Sequence, residues 1–461
     1  MFGFFVSQLR ACSRSWVSVG VLVVVGSCLL GLSSGMIVAG ARAGGDAGEE
    51  YASLGGMQVA FVALSVVVML PLLTSAAVGV DARRVSRWQL VGASVRQCVW
   101  VYYLMLVVVA LLGSLAGGAL AFLAWPSYAR CLARAGFPVV AGLHGGLSGI
   151  ALIIGVSSSL VAVLSSGWLS LRSLSRLDVM GAVASGLAAK RRGWARPILG
   201  TLLLAGLVAG YAGIASMDPV PDARRLDGLL SAYWGEALGL LVVVALLDSY
   251  VTPVVVRLVS GLLPTDVSGA LFLARGMARR RVMVSTAVVM PLTVAAGVVG
   301  SIMGMVRQVR QIALVQGVPV ASLQISPSGQ ILMEFAPPVV LAVVTAFCVT
   351  LVTGRRRAHD IALLRVSGIG SGPVIRSAVC EAGVYVLSAG VMCMLALDLN
   401  ARAVGFALGH GPVPGATYAG VGFSAPLVLV AGFALLAVLL AGMTSFQSRH
   451  DPLETVRNID E

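Results

Sequence analysis

Long apolar runs alternate along the chain with short polar or basic segments, and each run is of the length a membrane-crossing helix needs, roughly 20 residues. Ten are predicted, at 16–40, 57–80, 99–125, 147–171, 197–216, 233–256, 283–305, 336–353, 374–397 and 425–445. The first is too long for a signal-peptide core and lacks a small-residue cleavage site, so it counts as a span. Between the eighth and ninth runs lies a charged segment, Arg355-Arg-Arg-Ala-His-Asp-Ile-Ala-Leu-Leu-Arg-Val-Ser-Gly368. Arg355, Arg356 and Arg357 mark the cytoplasmic end of a span. Asp360 sits in the first turn of a predicted short helix carrying Leu364 and Arg365, and Gly368, Gly370, Gly372 and Pro373 stop it before a new apolar helix at about Val374. Arginine is too costly in lipid for this helix to enter the bilayer. It is predicted to be a rigid surface knob suited to a soluble partner; the plainer reading is a loop carrying positive-inside charge.

Composition sets the class. Hydrophobic residues make up 58% of the chain and charged residues 11%, and the mean hydropathy is +0.96. Such a chain is solvated mainly by lipid, so the predicted fold is an all-α polytopic membrane protein of about ten spans.

The net charge of +13 invites a nucleic-acid reading, but its distribution argues against one. With the N-terminus in the cytoplasm, only eight of the 32 basic residues fall on the other side. That bias explains the charge without a polyanion and predicts both termini in the cytoplasm. The seven cysteines form no framework: Cys131 alone is predicted outside, so no external disulfide is expected. His144, His359, His410 and His450 lack metal-ligand spacing, and no nucleophile–base pair stands out.

Three weak internal likenesses occur in the same order. Residues 1–15 and 268–282 are each a basic amphipathic segment leading into a span, as an interfacial elbow helix would. The stretch Asp81 to Ser94 matches the charged segment with Gly92 over Gly368. Residues 174–183 loosely match 448–456. The chain therefore parses as four spans over 1–190, two over 191–265 and four over 266–461. The period is even in spans, so the repeats have parallel orientation, unlike inverted-repeat transporters. The segments 41–56, 126–146 and 217–231 read as plain connectors, and 306–335 as a strand pair or a helix extension.

The charged segment, with Glu381 thirteen residues after Gly368, resembles the core motif of the FtsX-like (MacB-type) permease family of ABC transporters. The four-span repeat, the elbow helix and the ending Asp451-Pro-Leu-Glu-Thr-Val456 resemble it too. The second repeat is the better match: Arg84 stands where Asp360 does, Arg87 and Trp88 replace Leu363 and Leu364, and Met105 replaces Glu381. The resemblance implies a permease without its own motor, driven by a dimer of separate ATPase subunits that dock on the coupling segments and drive mechanotransmission. No phosphate-binding loop is present, since Lys190, the single lysine, lacks the glycines of that motif. ATP is thus expected on a partner chain, with no cofactor bound by this one. The predicted ATPase contacts are Arg355, Arg356, Arg357, Asp360, Leu364, Arg365 and Gly368, with Arg83, Arg84, Trp88 and Gly92 as first-repeat counterparts. The family's duplicated ten-span members export peptide antibiotics or confer resistance to them; they often carry a large external domain, which this chain lacks. The resemblance also implies a hydrophobic or amphipathic substrate, such as a peptide or lipid-linked compound.

Glu381 falls inside the ninth predicted span and Asp248 inside the sixth. Glu381 reads as a structural latch, paired with Arg376 or an elbow arginine, and Asp248 as a hydrogen-bonding group between helices. The rival reading makes them the coupling acids of an ion-driven secondary transporter, and a second rival is a transmitter to an external partner. Glycines at Gly31/Gly35, Gly113/Gly117, Gly206/Gly210 and Gly300/Gly304 have the spacing of close helix contacts. Pro71 and Pro291 lie inside spans and are candidate hinges.

Overall fold

In a computed structural model of the full chain, residues 13–80, 85, 88–135, 146–171, 195–217, 226–262, 264, 268–280, 282–315, 317, 328–418, 420, 422 and 424–448 are described. Among them every element is an α-helix: α1 Ser13–Ala43, α2 Gly45–Val80, α3 Val95–Arg134, α4 Gly149–Leu171, α5 Ala195–Ala215, α6 Leu226–Leu262, α7 Gly269–Arg280, α8 Val282–Val315, α9 Ser328–Val366, α10 Ser371–His410 and α11 Ser424–Gln447. Eight are long and apolar enough to cross a membrane: α1, α2, α3, α5, α6, α8, α10 and α11. Shorter apolar stretches lie within α4, at Gly149–Ser165, and α9, at Ala336–Val352. The protein is a multi-pass, all-α membrane protein. The elbow segment 1–12 and the segments 172–194 and 449–461 lie outside the described residues, as does most of 217–231.

Several helices outrun the predicted spans. α3 and α10 have 40 residues each, about 60 Å at 1.5 Å per residue, against a hydrocarbon core of roughly 30 Å. The supposed connectors 45–56 and 126–134 are therefore helical, continuing α2 and α3, and α8 extends to Val315. Hydropathy finds where apolar side chains stop; a helix stops where its backbone is capped or broken, so the two boundaries separate. The same reason corrects the charged segment. It is no separate short helix: α9 runs unbroken through Arg355, Arg356 and Arg357 to Val366.

The chain divides into two compact units, one of residues 1–192 with 326–360, the other of 193–325 with 361–461. In the first, α1 is the axis, packed on α2, α3 and α4. Small residues let these helices close up. A Cβ added at Gly155 would lie 2.7 Å from Gly31 Cα, and one at Gly31 would lie 2.9 Å from Ala121 Cβ. Hydroxyls cross the same contact: Ser27 donates to Ser114 O at 3.0 Å, and the Ser114 and Ser159 hydroxyls pair at 3.2 Å. Gln58 Oε1, fully buried, accepts from Ser33 at 3.1 Å and from Tyr128 at 2.9 Å. Buried amides like this must be partnered where water is absent. Within this unit the Thr345 hydroxyl of α9 also reaches Met69 Sδ of α2, at 3.2 Å.

In the second unit α10 takes the central place, packed on α5, α6, α7, α8 and α11. Gly300 of α8 faces Leu397 and Ala425, but Gly206 of α5 faces open space. The Gly206/Gly210 pair is therefore not a close helix contact at both glycines. At the His410 end of α10, Tyr418 donates to Asp398 at 2.5 Å and Arg402 pairs with the same carboxylate at 2.8 Å.

Candidate functional site: two capped helix ends

The first predicted counterpart segment ends in a tight turn. Gly92 N–H donates to Gln89 O at 3.0 Å and Ala93 N–H to Trp88 O at 2.9 Å, with Gly92 at φ +101°. This is a Schellman cap, in which a left-handed glycine satisfies the last carbonyls of a helix. The second segment repeats it. Gly368 N–H donates to Arg365 O at 3.0 Å and Ile369 N–H to Leu364 O at 3.1 Å, with Gly368 at φ +89°. Donors, acceptors and glycines all correspond at a spacing of 276, the same spacing as between Met69 and Thr345.

The helices after the two caps also correspond. α3 begins after the N-cap Ser94, which forms a capping box with Gln97, and α10 begins after the N-cap Gly370. Both helices then run for 40 residues, and their first and last residues again differ by 276.

The two ends carry different chemistry. Trp88 is half-buried and its ring lies 6.1 Å from Tyr102, which stacks on Trp16 at 6.1 Å, so rings tie this cap to α3 and α1. Beyond it Leu90 is 69% and Val91 90% exposed, an apolar tip. In the second cap Ile361 and Ala362 are buried, Leu364 and Arg365 half-buried, and Val366 and Gly368 exposed. The Arg365 Nη1 donates to Ser448 O at 2.7 Å, fastening this cap to the end of α11. A cationic donor on helix-terminal carbonyls is favoured by charge as well as by hydrogen bonding.

The remaining predicted residues divide. Arg357 is buried and Asp360 half-buried on α9. Arg355 and Arg356 lie in the same helix, without described side chains, and Arg83 and Arg84 lie outside the described residues. Glu381 is fully buried and accepts from Tyr385 one turn on, at 2.6 Å. Of the expected partners, Arg376 or an elbow arginine, Arg376 is exposed. Asp248 is buried and accepts from Thr252 at 2.5 Å, again one turn on. Each acid thus has a hydroxyl on its own helix at i+4 spacing. That spacing is present in the sequence, in Glu381/Tyr385 and Asp248/Thr252, and a neutral hydroxyl is a less conspicuous partner for an acid than a basic residue.

No protein-family model matches the chain, and no curated protein matches it.

Proposed function

We propose that the chain is the transmembrane permease subunit of an ABC-type transporter of the FtsX-like kind, built from two parallel four-span repeats and two connector spans. It lies in a bacterial cytoplasmic membrane with both termini in the cytoplasm. The observation that carries the reading is the pair of Schellman-capped ends at a spacing of 276, each preceding a 40-residue helix. A duplicated, capped helix end with exposed residues at its tip is the form a docking point for a two-fold partner requires. Met69 and Thr345, which touch, stand at the same spacing of 276, and this supports the duplication.

The partner is a separate ATPase dimer, since the sequence offers no phosphate-binding loop. Its closing and opening would press on Leu90, Val91 and Trp88 in one repeat and on Leu364, Arg365 and Val366 in the other. The work done would be export, or extraction from the membrane, of a hydrophobic or amphipathic molecule such as a peptide or lipid-linked compound. The acids favour this over ion coupling, because Glu381 and Asp248 each hold a hydroxyl of their own helix, as structural groups do.

The test is co-purification in mild detergent of wild type and Asp360→Ala/Leu364→Ala/Arg365→Ala. An ATPase retained by wild type and lost by the variant is the expected result. No ATPase after crosslinking in native membranes, or hydrolysis of ATP by the purified chain alone, would overturn the proposal.

A further inference from the structure

The end of α6 carries a shallow groove of about 460 Å³, lined by Val254, Arg257, Leu258, Gly261 and Leu262. Leu258 and Leu262 are 62% and 82% exposed. On a membrane helix such a trough meets acyl chains. Arg257 is the one charged residue in its lining. Arg279 of the elbow helix α7 lies beside the groove, donating through Nε to Ser260 Oγ at 3.0 Å and through Nη2 to Arg257 O at 3.3 Å. Gly261 lies under this guanidinium, and a Cβ there would come within 3.3 Å of Arg279 Nη2. The Arg257 side chain is exposed. Among the described residues no carboxylate forms an ion pair with either arginine.

We infer that this groove binds one anionic phospholipid, its phosphate held by Arg257 and Arg279 and an acyl chain laid along Leu258 and Leu262. Charge complementarity selects the occupant. Two guanidiniums beside one trough suit a single phosphodiester, with geometry fixed for Arg279 by its bonds to α6. The elbow helix supports the assignment: it buries Ala270, Ala274 and Ala278 and leaves Phe272 exposed, as an interfacial helix at headgroup depth would. The inference rests on the membrane-spanning fold alone and stands or falls separately from the ATPase partnership.

The full chain, purified in mild detergent, would be titrated with phosphatidylglycerol and with phosphatidylcholine and monitored by native mass spectrometry. Wild type is expected to retain one phosphatidylglycerol in preference to phosphatidylcholine. Arg257→Gln/Arg279→Gln should weaken phosphatidylglycerol binding by about ten- to thirty-fold, from roughly 1 kcal/mol per basic side chain at a membrane surface, and leave phosphatidylcholine unchanged. Leu258→Asp should weaken it with both arginines in place. Arg257→Gln alone, in a side chain without a described intramolecular partner, carries the test should the double variant fail to fold; its expected loss is roughly three- to ten-fold. Equal retention of the two lipids, unchanged phosphatidylglycerol binding by the Arg257→Gln variant, or its displacement by millimolar inorganic phosphate would overturn the site.

Discussion

Gly92 and Gly368 hold φ of +101° and +89°, a region where a side chain meets the following carbonyl. Nothing lies within 4 Å of a Cβ added at either position, so the objection to alanine there is purely conformational. Gly92→Ala and Gly368→Ala are each expected to lower stability by about 1 kcal/mol, read as a reduced thermal midpoint in detergent, with Gly368→Asn milder than Gly368→Ala. A second residue-scale test concerns the buried acid. Tyr385→Phe removes a donor from Glu381 without changing the packed volume and should destabilise by about 1–3 kcal/mol; an unchanged midpoint would remove the latch reading of this pair. The glycines were legible in the sequence, because a glycine just past a helical pattern implies a left-handed cap. The Arg365–Ser448 bond was not legible, because its acceptor is a backbone carbonyl 83 residues away and carbonyls have no sequence signature.

Among the helices, glycine spacing predicted contacts without saying which would form. Gly31 meets both Ala121 and Gly155 in the first unit, whereas Gly206 meets nothing. Gly155→Val should therefore overpack the α1–α4 contact and destabilise by about 1–3 kcal/mol, while Gly206→Ala should be neutral or slightly stabilising. Equal midpoints for these two variants would mean that α1 and α4 do not pack as described. The positions of the apolar helices were legible from hydropathy, since lipid imposes a length. Their true ends were not, because α3 and α10 continue as helix well past the last apolar run, where polar residues and alanine serve helix formation equally well.

For the molecule as a whole, the proposed duplication rests on three faint likenesses in the sequence, of which only the capped segment falls largely within the described residues. Between the two capped segments the side chains differ, Trp88 against Leu364 and Met105 against Glu381, while the backbone turn and the length of the helix that follows agree. Backbone geometry depends on a few glycines and caps, so two segments can share it while their other residues differ. The 40-residue length of α10 has a mechanical consequence. Its one proline, Pro373, lies in the first turn, so no break interrupts the rod between Ser371 and the Asp398–Arg402–Tyr418 cluster. With the bilayer as fulcrum near its middle, a tilt of about 5° would sweep each tip of a roughly 60 Å rod by about 2.6 Å, in opposite directions. Such a lever would carry force from one face of the membrane to the other without opening any path through it.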